Sequence, residues 1–298
     1  MSNRVFSTTV TEPLEFEIGE SLNIRVFAFH GSNSVVRAQD IGNPDIFEGA
    51  LLAIIVDDGH HTVLGTAFLV APGLAISAFH VFSADIDSIL HSKKRVFCFG
   101  LRSGQATLWD IRQINHTENS DIAYLSLIPR SALHEDRTIF QFPLTTRSPK
   151  AGEQLHLIGY TNGSIDGPPE KTIQFKLMSA VGSVTSVYPH QRDSVLMPFP
   201  TIEILCGSVG GMSGGVVLDS SGHVCGVICR GLNTDDQEGP TFASWLIGAL
   251  GREVEIVWPS GLYKSPQQVI GIERIMAIQG RDKVKVDGTT CSVEIWFE

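Results

Sequence analysis

The feature that most constrains this chain is a succession of short, apolar, β-type runs broken by turn residues. "ALLAIIVDDGHHTVLGTAFLVAPGLAISAFHVF", residues 50–82, reads as three strands with turns at Asp58-Gly59 and Pro72-Gly73. "RVFCFG", "ATLWDIRQI" and "DIAYLSLI" carry the pattern to residue 128. A second series follows: "EQLHLIGY", "TIQFKLMSAVGSVTSVY", "PTIEILCG", "GGVVLD", "HVCGVICRG" and "TFASWL". Long amphipathic helical patterns are few. Two series of short strands, joined near "PRSALHEDRTIFQFPLTTRSPKAGE", predict an all-β chain built as two barrels. The expected layout is an N-terminal extension at 1–49, a first β-barrel at 50–140, a second at 141–250 and a C-terminal extension at 251–298. The last of these ends in a predicted β-hairpin with Asp287-Gly288 at its turn.

Composition narrows the function classes. With 298 residues, 43% of them apolar, the chain can bury a sizeable core. Its net charge is −10, and it has no basic run of the kind that phosphate contacts require, so nucleic acid is not an expected partner. The N-terminal "MSNRVFSTTVTEPLEFEIGE" lacks the apolar core of a secretory signal, and no apolar run approaches a membrane span. We therefore expect a cytoplasmic protein that does not engage membranes. The five cysteines are odd in number and scattered, which argues against a disulfide framework. Cys225 and Cys229 fall within one predicted strand, where four residues span roughly 13 Å, too far for two ligands of one zinc ion. No metal and no cofactor is expected.

The chemistry concentrates in "GSVGGMSGGVVLD", residues 207–219. A serine hydroxyl needs a neighbouring base to act as a nucleophile. Glycines around Ser213 allow a sharp turn, and the N–H groups of Gly211 and Ser213 could converge on one oxygen as an oxyanion hole does. Alone, the segment reads equally as a nucleophile turn or as a glycine-rich hairpin. A base is available in His80, directly after the strand pair Gly65–Val70 and Leu74–Ala78. A carboxylate to orient it is available in Asp121, at the head of "DIAYLSL".

These segments together resemble the trypsin-like (chymotrypsin-fold) serine proteases. "GTAFLVAPGLAISAFHVF" resembles their histidine segment, "SDIAYLSL" their aspartate segment and "GGMSGGVVLDSSGHVCGVICRG" their serine segment, in matching order and spacing. "GEQLHLIGYTNG" resembles the strand that opens the second barrel in bacterial members, the HtrA-like group included, although no PDZ-like region follows here. The resemblance implies two packed antiparallel six-stranded β-barrels and a triad of His80, Asp121 and Ser213, with Gly211 and Ser213 as oxyanion donors. It implies a serine endopeptidase acting on protein or peptide substrates through an acyl-enzyme. The alternative is a catalytically silent protease-fold module that binds proteins.

The resemblance also places a substrate pocket at Gly207, Ser208, Cys229, Arg230 and Gly231. Gly207 stands where trypsin-type members carry an aspartate, so a small or apolar residue is expected before the scissile bond. Asp235, Asp236 and Glu238 would favour a basic one if they reached the pocket. Met212 replaces the aspartate that pairs with a freshly cut N-terminus in digestive members. Activation of that type is not expected. Narrow specificity and a regulatory protein partner that orders the oxyanion loop are the corresponding expectations.

Overall fold

The computed structural model describes residues 5–6, 23–26, 38–57, 61–91, 94–116, 119–161, 173–232, 239–259, 263, 267–268, 277–287 and 292–295. Strands β1 (Leu51–Asp57), β2 (His61–Ala71), β3 (Leu74–Ala78), β4 (Arg95–Arg102), β5 (Gln105–His116) and β6 (Ile122–Pro129) form the first unit. They close into an antiparallel barrel in the order β1-β2-β3-β6-β5-β4. The second unit consists of β7 (Gln154–Thr161), β8 (Lys176–Tyr188), β9 (Thr201–Leu205), β10 (Val216–Leu218), β11 (Val224–Gly231) and β12 (Thr241–Trp245). Its order is β10-β7-β8-β9-β12-β11, and the pairing of β10 with β11 closes the ring. Two closed six-stranded antiparallel barrels are therefore present, as expected. Closure pairs most barrel strands on both edges.

Burial explains why several strands are apolar throughout rather than alternating. In β1, Leu51, Ala53 and Ile55 join a core cluster that also holds Ile158, Tyr160 and Val216 of the second barrel. Leu52, Ile54 and Val56 point the other way, into a cluster with Trp109, Leu125 and Leu127. Both faces of the strand are buried, so period-two polarity is absent from "LLAIIV". A separate cluster fills the second barrel, with Leu157, Ile202, Met212, Cys225 and Trp245 among its members.

The flanks that sequence left unassigned are built onto the barrels. Gln39–Asp40 pairs with β8 at Met178 and Ser179. Asn23–Val26 lies parallel to Thr138–Gln141, which follows the first barrel. On the C-terminal side, Ile278–Gln279 lies parallel to Leu144–Thr145, and Trp258 packs edge-on against Trp109 at 5.7 Å between ring centroids. The expected terminal hairpin is present as Val284–Asp287 paired antiparallel with Ser292–Ile295. The Pro72-Gly73 turn is formed, with Gly73 at φ 71°. The Asp58-Gly59 turn, the residue after Asp287 and the acidic segment with Asp235, Asp236 and Glu238 lie outside the described residues. Among the described residues no helix is long and apolar enough to cross a membrane.

Candidate active site

Strand β3 ends at Ala78, and the chain turns into a single helical turn, α1 (His80–Ser83). His80 thus begins a helix rather than ending a strand. Two backbone hydrogen bonds lock this corner to the head of β6: Phe79 N donates to the Asp121 carbonyl at 2.9 Å, and His80 N donates to Asp121 Oδ1 at 2.9 Å. The other carboxylate oxygen, Oδ2, lies 2.6 Å from His80 Nδ1. One aspartate therefore fixes both the main chain and the ring of His80. The imidazole side chain is 39% exposed and the carboxylate side chain 11%. The ring is thus partly exposed while its carboxylate partner is sheltered.

Ser213 reaches this corner from the second barrel. Its carbonyl accepts from Thr66 N at 2.8 Å, in β2 of the first barrel. Gly65 makes this approach feasible, because a Cβ there would sit 2.9 Å from the Ser213 carbonyl oxygen and 2.8 Å from Val81 Cγ2. The Ser213 loop and the residue following His80 therefore meet over one glycine. Gly214 is equally constrained: its φ is +82°, and a Cβ would lie 2.1 Å from the Thr66 carbonyl oxygen and 2.3 Å from Ser77 Oγ. Only glycine fits such a contact.

The loop before Ser213 is held from both barrels. Thr66 Oγ1 donates to the Gly211 carbonyl at 3.2 Å and accepts from Tyr160 N at 2.8 Å. Met212 is fully buried in the second-barrel core, and Val209 N lies 3.5 Å from its sulfur. An apolar anchor thus holds this loop from the second-barrel side. With these restraints, Gly211 takes φ +93°, and the Gly211 and Ser213 N–H groups donate to no partner among the described residues. Two free, adjacent donors are what an oxyanion hole requires.

The Ser213 hydroxyl donates to the Cys229 carbonyl at 3.1 Å, and no hydrogen bond joins it to the His80 ring. The register of β11 against β12 shifts between Ile228 and Arg230, so the irregularity falls on Cys229. Shifts of this kind re-aim residues next to functional sites. The Cys229 thiol is buried beside the Asp121 carboxylate, and that burial, then the neighbouring charge, push its ionisation well above the ordinary thiol range. Cys225, four residues earlier, lies in the second-barrel core instead, and both are free thiols.

Of the remaining expected pocket residues, Gly207 and Ser208 are buried just after β9, and Arg230 is exposed. Arg230 and Gly231 pair with Phe242 and Thr241 of β12. Thr241 Oγ1 donates to the Cys206 carbonyl at 2.8 Å, which ties this wall to the segment leading into Gly207.

A family model described as a trypsin-like peptidase domain matches residues 65–227, more than half of the chain. The chain belongs to the trypsin-like peptidase family. Its similarity to solved structures is low in sequence. Deg5 is 18% identical with a TM-score of 0.46, over 67% of this chain and 84% of that one. Rv3671c from M. tuberculosis H37Rv, in an inactive form, is 15% identical with a TM-score of 0.42, over 69% of this chain and 86% of that one. The HtrA-type protease AlgW with a decapeptide is 15% identical with a TM-score of 0.44, over 66% of this chain and 61% of that one. No curated protein matches the chain.

In this trypsin-like chain, two contributors escaped the reading of the sequence. Thr66 stood in "GTAF" as an ordinary strand residue, yet its hydroxyl bridges the two barrels. Cys229 was expected only as a pocket residue, yet its carbonyl meets Ser213 and its thiol meets Asp121. Neither contact leaves a local signal, because each depends on two segments far apart in sequence.

Proposed function

We propose that this chain is a serine endopeptidase that cleaves protein or peptide substrates through His80, Asp121 and Ser213. The observation that carries the reading is the 2.6 Å contact between Asp121 Oδ2 and His80 Nδ1, made beside a serine loop with two free N–H groups. Asp121 accepts the Nδ1 proton and so presents the other ring nitrogen as the base. Rotation about the Ser213 side-chain bond exchanges the Cys229 carbonyl for that nitrogen. The serine oxygen then attacks the substrate carbonyl while His80 takes its proton. The Gly211 and Ser213 N–H groups receive the developing oxyanion, each donor contributing roughly 3 kcal/mol. His80 returns the proton to the leaving amine, and water releases the acyl group.

Gly207 leaves the pocket without a carboxylate at its base, which supports a small or apolar side chain before the scissile bond. Control of activity belongs to something other than a newly cut N-terminus, since a buried Met212 provides no counter-charge for an ammonium group. A protein partner is the proposed agent.

A fluorophosphonate probe tests the reading. Wild-type protein should be labelled and Ser213→Ala should not. Absence of labelling in the wild type, with substrate peptides failing to be cut, would replace the protease by a protein-binding module. The Ser213 to Cys229 hydrogen bond is the observation that favours this second reading.

A further inference from the structure

Away from the cleft, the first barrel carries a cavity of about 410 Å³, within the size range of small-molecule sites. It opens between β4, β5 and a short helix, α2 (Ile86–Leu90). None of the triad, oxyanion or pocket residues lines it. Four cations do, Lys94, Arg95, Arg112 and Arg130, together with a single carboxylate, Asp110. The remaining lining is aliphatic and includes Ile89 and Ile114.

The charges are unevenly compensated. Arg130 is buried and forms the floor, with Nε 3.1 Å from Asp110 Oδ2 and a second contact from its Nη2. Arg95 reaches the same carboxylate only at 3.9 Å. Lys94 is paired outside the lining with Asp85, at 2.9 Å. Asp57, the cross-strand neighbour of Arg95, is not part of the lining. Arg112 is exposed and makes no ion pair among the described residues. The lining thus carries four cations to one carboxylate, an excess of positive charge at one concave spot on a chain whose net charge is −10. Like charges held together repel, and a bound dianion removes that cost. Guanidinium groups match phosphate oxygens with paired donors, and aliphatic walls suit a carbon substituent.

We propose that this cavity binds a small organic phosphate, its dianion held by Arg95 and Arg112 and its carbon part lying on Ile89 and Ile114. The site is independent of the peptidase reading. Calorimetric titration of the full chain with phenyl phosphate, inorganic phosphate and phthalate tests it. Phenyl phosphate should bind saturably to one site, and the other two more weakly. The Arg95→Ala/Arg112→Ala variant should lose at least about tenfold in affinity, while Lys176→Ala, an exposed cation on the second barrel, keeps wild-type binding. Both changes are at exposed positions, and circular dichroism checks that the variants fold. Four results would overturn the proposal: no saturable binding to the wild type, unchanged binding by the double variant, tighter binding of phthalate, or inorganic phosphate binding as well as phenyl phosphate.

Discussion

Thr66 Oγ1 in the first barrel donates to the carbonyl of Gly211 in the second, 145 residues further along the chain. The same oxygen accepts from Tyr160 N, so one hydroxyl satisfies two buried backbone groups that flank the oxyanion loop. Thr66→Val keeps the shape and removes both bonds. Leaving two buried groups unpaired should cost roughly 2–5 kcal/mol in denaturant-unfolding experiments and slow fluorophosphonate labelling of Ser213. Thr66→Ser should restore both. Equal labelling rates for the valine and wild-type proteins would show that the loop holds its shape without Thr66.

Asp121 serves the ring and the main chain of His80 with different oxygens. Asp121→Asn can still accept from His80 N, so the corner should fold. With its oxygen kept on His80 N, its NH2 group faces Nδ1 and can only donate, so the wrong tautomer is favoured. Peptidase turnover should fall by on the order of 10⁴-fold, with thermal stability nearly unchanged. A loss of only a few fold would remove Asp121 from the proposed triad.

Met212 anchors the loop by burial rather than by charge. Met212→Leu preserves volume and should cost less than about 1.5 kcal/mol. Met212→Ala leaves a cavity under the oxyanion loop and should cost about 2–5 kcal/mol, with labelling slowed beyond what unfolding accounts for. Labelling of Met212→Ala at the wild-type rate would mean that this side chain stabilises the barrel without shaping the site.

The segment between β8 and β9 supplies a pH prediction. Asp193 Oδ1 accepts from the N–H groups of Leu196, Val195 and Met197, and Arg192 donates to its other oxygen at 2.9 Å. These bonds, that from Leu196 foremost, lower its pKa to about 2. A folded value below the unfolded one means that the stabilisation is complete above the ordinary carboxylate range. It is lost as pH falls toward about 2. A carbon-detected NMR titration of Asp193 should show that low midpoint, and Asp193→Asn should remove the acid-induced change in this segment. A midpoint in the ordinary carboxylate range would refute the N–H cage.

Much of this protein was legible from residue order alone. Strand-length apolar runs, bounded by glycine and proline turns, mark the two barrels because a half-buried or fully buried strand needs such runs whatever its neighbours. His80, Asp121 and Ser213 could be singled out as candidates because each sits in a local context, just after a strand, at a strand start and in a glycine turn, that resembles the trypsin-like pattern. Two short pairings in the flanks were not legible. Gln39–Asp40 and Ile278–Gln279 are two-residue pairings whose partners, not their composition, make them strands.

The sequence by itself determined which backbone segments could become strands and which side chains are candidates for the chemistry, since propensity, periodicity and turn residues act over a few positions. Tertiary structure alone decided how those groups meet. It set Thr66 against Gly211, buried Met212 in the second-barrel core and turned the Ser213 hydroxyl toward Cys229. It also gathered Arg95, Arg112 and Arg130 around one cavity. The physical reason is common to all of these: hydrogen bonds, burial and charge compensation act between atoms a few ångströms apart, and closure of the two barrels brings distant parts of the chain to that range.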